Sequence, residues 1–280
     1  MSTALTSSLT GNTLHHPVLR FVARVGHTTR RRAGFVLTVI SLTLGVLLEA
    51  VRPATWRRTV RAEFSRSLRQ VIGGGLSTTL IAAVLGGLAI VYQALYWLGE
   101  TAEESLIGTL LVTVLVRGVA PVLVGLIVLG RSGMLMLSEL GALRIGRQVE
   151  VLEAQGLDPF ILLLLPRACA FAAAAFTLGF VFVLAALIAG FVAASLVQVA
   201  TVPFWSFLDR VLVAMQTSYF VSFPLKMIAI GLLVALTQGL TGLAAGPQDE
   251  VAHLLPRGFM RGLLAILLVN LSLSMIASRL

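Results

Sequence analysis

The residues able to do chemistry are few, and most of them sit in one stretch. Between Gly130 and Pro159 the chain reads GRSGMLMLSELGALRIGRQVEVLEAQGLDP, with four of the twelve acidic residues, three arginines and five glycines. Outside this stretch and the arginine-rich first 70 residues, charge is sparse. Arg117 interrupts an apolar run, and Lys226 is the only lysine. Lys226 follows Ser-Phe-Pro-Leu rather than the glycine-rich turn of a phosphate-binding loop, so any ATP and Mg would have to be bound by a partner chain. His15, His16, His27 and His253 form no H-E-x-x-H pair, and the lone Cys169 allows neither C-x-x-C nor an internal disulfide. Gly130-Arg131-Ser132-Gly133-Met134 is not G-x-S-x-G and has no histidine nearby. The expectation is no catalytic residue, no metal site and no cofactor in this chain.

The elements around these residues follow from composition. The 280 residues are 58% hydrophobic and 12% charged, against about 25% charged for a soluble domain. A mean hydropathy of +0.97 points to a polytopic, all-α integral membrane protein. The net charge of +9 is carried by arginine. No basic patch is interleaved with stacking aromatics, so nucleic acid is not expected as a partner. No cleavable leader is expected in MSTALTSSLTGNTLHHPVLR.

Charge then orients the spans. Residues 1–33 are polar, end in Arg30, Arg31 and Arg32, and are expected in the cytoplasm. Residues 34–70 combine an apolar helix with a basic connector carrying Arg52, Arg57, Arg58, Arg61, Arg66 and Arg69. A helix crossing the membrane there would put one arginine cluster outside, so an interfacial helix is favoured over a spanning one. Residues 71–280 are expected to form five spans: Val71–Leu98, Leu106–Leu129, Ala168–Ala200, Pro224–Ala245 and Gly262–Leu280. Residues 130–167, with Arg131, Arg144, Arg147 and Arg167, form a cytoplasmic segment between spans two and three. Arg210 alone breaks the charge rule.

Two features inside this frame invite functional readings. Arg117, placed near the middle of span two, is expensive there. It either meets an anion such as a lipid phosphate, or pairs with carbonyls or a distant acid, or lies closer to an interface than these boundaries place it. Gln93 and Tyr96, late in span one, either line a substrate entrance or belong to an interfacial belt. In the polar segment, Ile145, Val149 and Leu152 share one helical face, with Arg147 and Glu150 roughly opposite. Gly156-Leu157-Asp158-Pro159 ends that helix. Such a helix is either a linker or a docking element for another subunit.

The residue types favour docking through a family pattern. Gly130-Arg131-Ser132-Gly133, Ser138-Glu139-Leu140-Gly141, Gln148, Leu152, Gly156-Leu157-Asp158-Pro159 and Leu165-Pro166-Arg167 run in register with the signature of the MlaE/YrbE permeases of lipid ABC transporters. Gln93 and Pro121 also fall at family positions. The chain resembles that family continuously from about Leu88 to Arg167 and less closely beyond. The resemblance implies the MlaE-type fold and a homodimeric permease of the bacterial inner membrane. It implies a cytoplasmic ABC ATPase and an MCE-domain lipid-binding protein as partners, with phospholipid or a similar molecule as cargo. Arg131, Gly133, Glu139, Gly141, Arg147, Gln148, Glu150, Asp158, Pro159 and Arg167 would then form the coupling region. Gln93, Tyr96, Arg117 and Pro121 would be lipid-pathway residues. Glu139 would either bridge to the ATPase or cap its own loop.

This chain departs from the pattern at three places. Arg117 is followed by Gly118 where the family has Arg-Glu. Arg147-Gln148 stands at the family's Glu-Gln. Asn270 replaces an expected acid. These changes mark a divergent member and leave Arg117 freer to meet an anionic ligand. The rival classes are an ion-coupled secondary transporter, which would need acids well inside the spans, and a non-transporting scaffold of an envelope complex.

Overall fold

The computed structural model describes residues 34, 37–98, 111–196, 217–246 and 250–277, with a few isolated positions between 203 and 213. Expectations for residues 1–33 and for Arg210 lie outside them. The chain divides into two units, Met1–Leu44 and Gly45–Leu280. In the first, the described residues are helical. Thr38 and Thr43 donate their hydroxyls to the carbonyls of Gly34 and Val39, one turn back. They belong to helix α1 (Leu37–Val51), which is apolar and shorter than a membrane-spanning helix.

In the second unit the chain turns sharply after α1. Glu49 accepts from Arg52 Nη1 at 2.6 Å and from the Thr55 hydroxyl at 2.8 Å. Pro53–Thr55 form a single 3-10 turn. Trp56 Nε1 donates to the Ala50 carbonyl at 2.9 Å, and its ring meets Phe64 edge-on at 5.4 Å. Helix α2 (Arg58–Leu98) then runs for 41 residues. The expected connector at 58–70 is therefore the start of the first spanning helix. Hydropathy marked only the part that sits in hydrocarbon, while arginine is a good helix former and extends the helix into polar surroundings.

The same effect moves the end of span two and the starts of spans three, four and five. The second spanning element, α3, is a continuous helical stretch of four pieces: a π-helix Leu111–Val119, an α-helix Ala120–Ile127, a π-helix Val128–Gly133 and an α-helix Met134–Ile145. Residues 130–145 of the expected polar segment are thus spanning helix. A short helix α4 (Gln148–Ala154) follows. Helix α5 joins a π-helix Phe160–Leu164 to an α-helix Leu165–Leu196. Helices α6 (Thr217–Leu243) and α7 (Val251–Ala277) begin before the predicted spans and contain Pro224 and Pro256. Five of the described helices are long and apolar enough to cross a membrane, and no strand occurs among the described residues.

Small residues set the packing. On α2, Val71, Gly75, Thr79, Ala83, Gly87 and Val91 recur every four residues and are all buried. This stripe lies on α5. A Cβ at Gly87 would collide with the Ala186 carbonyl, so the two backbones touch. Helix α6 packs on both α5 and α7. Gly231 lies against the Phe171 carbonyl. Gln238, fully buried, donates from Nε2 to the Gly258 carbonyl at 2.9 Å and fastens α6 to α7.

Candidate functional site

Two polar groupings stand at opposite ends of the helices. The first surrounds the connection between α3 and α5. Helix α3 ends at Gly146, and Arg147 takes a left-handed conformation (φ 56°) to reverse the chain into α4. Helix α4 stops at a left-handed Gly156 (φ 75°), where Leu157 N–H donates to the Leu152 carbonyl and Gly156 N–H to that of Glu153. Asp158 Oδ1 then accepts the Phe160 N–H at 2.9 Å and starts α5. The amphipathic helix is therefore shorter than expected. Ile145 belongs to α3, Val149 is the buried contact of α4, and Arg147, Gln148, Glu150 and Asp158 are exposed.

Behind this exposed tip lies an ionic brace. Arg167 on α5, with its side chain only 11% exposed, donates from Nε to Glu63 Oε1 on α2 at 3.0 Å. Its Nη1 lies 3.3 Å from Glu139 Oε2 on α3, close enough for attraction but not aligned as a hydrogen bond. Gln70 Nε2 donates to the other oxygen of Glu139 at 3.4 Å. Ser67 and Ser132 line the same small cleft. Glu139 thus joins α3 to α2 and α5 rather than capping its own loop, and its side chain is 38% exposed. Glu63 and Gln70 were missed because their partners lie 104 and 69 residues away.

The expected coupling residues do not act alike. Gly133 packs against Gln238 and Val234 of α6, and Gly141 against Leu254 of α7. Both are buried packing positions. Arg131 is exposed and lies over Gly74, with Nε 3.1 Å from where a Cβ would stand. Pro159 is half-buried at the start of α5.

The second grouping is toward the other end. Arg117 is not central in its span: it lies 28 residues, about 42 Å, from Ile145 along α3. Lys226, which sequence alone put at a span edge, is 2% exposed. Its Nζ donates to the Arg117 carbonyl at 3.1 Å and to Ser274 Oγ on α7 at 2.7 Å. Pro121 explains the first bond. It has no N–H to give to the carbonyl four residues back, which is that of Arg117. The π-helical turn there loosens the ladder further. One turn before Ser274, the Asn270 amide oxygen is buried without a partner. Helices α6 and α7 contain no acid, and α3 contains only Glu139 at its far end. Lys226 therefore sits between three spans, bonded to the main chain of Arg117 on α3 and to Ser274 on α7. Gln93 and Tyr96 are exposed on the last turns of α2 and do not join them.

The Permease MlaE family profile matches residues 64–276. The chain belongs to the MlaE permease family. Five spanning helices make this MlaE permease a multi-pass membrane protein. Among its relatives, a probable ABC transporter permease protein of Rickettsia bellii (strain RML369-C) is 26% identical over 156 residues, 55% of this chain and 58% of the relative. One from Rickettsia felis (strain ATCC VR-1525 / URRWXCal2) is 27% identical over the same shares. One from Rickettsia prowazekii (strain Madrid E) is 31% identical over 106 residues, 37% of this chain and 41% of the relative. The MlaE permease thus aligns with about half the length of these curated relatives.

Proposed function

We propose that this chain is the membrane subunit of an ATP-driven phospholipid transporter of the bacterial inner membrane. It works as a pair with a second copy of itself, with a cytoplasmic ABC ATPase that binds ATP and Mg, and with an MCE-domain lipid-binding protein. Family membership and the names of the relatives support the permease role and the ATPase. The observation that carries the lipid assignment is the burial of Lys226 between α3, α6 and α7, bonded only to the Arg117 carbonyl and Ser274, with no acid on α6 or α7 and none on α3 nearer than Glu139 at its far end. Buried cations in spans serve ligands or pathways, and the phosphate of a lipid headgroup supplies the missing charge.

At the other end, α4 is the seat for the ATPase, and the N-terminus of the chain lies on that same cytoplasmic side. The Arg167 brace ties both flanking helices to α2, so a push on α4 moves three spans together rather than splaying them. The test is purification in mild detergent with mass spectrometry of bound lipid. Arg117→Ala and Lys226→Met are expected to lower retained phospholipid several-fold, and unchanged retention with unchanged transport overturns the assignment. The coupling role is read separately: Arg167→Gln is expected to lower lipid moved per ATP hydrolysed while hydrolysis continues.

A further inference from the structure

We infer that the arginine face of α2 binds the headgroups of anionic phospholipids in the leaflet at the α4 end. This rests on the membrane-spanning fold and not on the transport reading. Helix α2 has 41 residues, about 60 Å of helix, against roughly 30 Å of hydrocarbon. Its first turns therefore stand in or beyond the headgroups. Arg58, Arg61, Arg66 and Arg69 fall within about 140° of one another around the helix, and all four are exposed. Val60, Ser67 and Val71 on the opposite side are buried. No acid among the described residues pairs with any of the four arginines: Glu49 is held by Arg52, and Glu63 by Arg167.

What adjoins this face follows from what continues it. Two turns beyond Arg69 the same line reaches Leu76, and then Leu80, Val84 and Leu88 at steps of four, each about 40% exposed. That row meets acyl chains or another helix. A second copy laid on it would bring two arginine stripes together, which like charge opposes. Acyl chains remain, and the stripe then stands where chains give way to phosphates. Trp56, edge-on to Phe64 at the start of α2, is the residue type that marks this level. Guanidinium groups bind phosphate oxygens in a bidentate manner, and several in a row favour an anionic leaflet.

The experiment uses the full chain in phosphatidylcholine vesicles with trace spin-labelled phosphatidylglycerol or phosphatidylcholine, reading the motionally restricted fraction of each probe. At low salt, phosphatidylglycerol is expected to be restricted about twofold more than phosphatidylcholine, with near parity in 1 M NaCl. In R58Q/R61Q/R66Q/R69Q at least half of that excess is lost, with helix content unchanged by circular dichroism. Should the quadruple variant not insert, R58Q/R61Q and R66Q/R69Q are each expected to lose part of it. Equal restriction of the two probes in the natural protein overturns the inference. So does an excess that survives every variant. A variant that keeps the excess but loses its ATPase partner assigns the face to protein instead, and also overturns it.

Discussion

At the scale of single residues, backbone chemistry decides which side chains become special. Pro121 withholds a donor from the Arg117 carbonyl, and Lys226 occupies the vacant acceptor at 3.1 Å. Pro121→Ala returns an N–H that competes for that carbonyl. Lys226 should then lose one of its two partners, and the variant should melt earlier in detergent by an amount equivalent to ~1 kcal/mol. A melting temperature at or above that of the natural protein would refute the link. Arg147 is the one non-glycine residue with positive φ among those described. Its left-handed backbone costs about 1–2 kcal/mol, part of which glycine would relieve. Arg147→Gly is therefore expected to raise thermal stability slightly while leaving the fold intact, measured by the same melt. The sequence showed that a basic residue stands there, and the turn explains its conformation but not its charge.

At the scale of elements, close backbone approach and the ionic brace fix how helices sit. Gly87→Leu would force α2 off the Ala186 backbone of α5. The expected loss is about 3 kcal/mol or more, visible as poor recovery of monodisperse protein. The brace is tested by a double-mutant cycle on Glu63→Gln and Arg167→Gln. Removing either partner of this largely buried pair should cost roughly 3 kcal/mol, and the two losses together should fall short of their sum by about 1 kcal/mol. Strict additivity would mean that Glu63 and Arg167 do not act as a pair. The resemblance had already singled out Glu139 and Arg167. It grouped them with Gly133 and Gly141, which lie buried on α3 against α6 and α7.

At the scale of the whole molecule, the spanning helices place the α4 tip and the Lys226 grouping at opposite ends, so under the proposed function the ATPase contact and the lipid headgroup lie far apart. If α4 faces the ATPase, a cysteine at exposed Gln155, in a Cys169→Ala background, should react with a membrane-impermeant maleimide only after the inner face is opened. Labelling of intact cells would reverse the orientation. By itself, the sequence determined the class, the number of spans and the polar character of the α3–α5 connection, because hydropathy and charge act along the chain and need no neighbours. Only the tertiary structure decided where helices begin, that Glu63 and Gln70 complete the brace, and that Lys226 is buried beside Arg117. Those facts depend on contacts across 69 to 109 residues. The burial of a charge is set by the helices that close around it, not by the residues beside it in sequence.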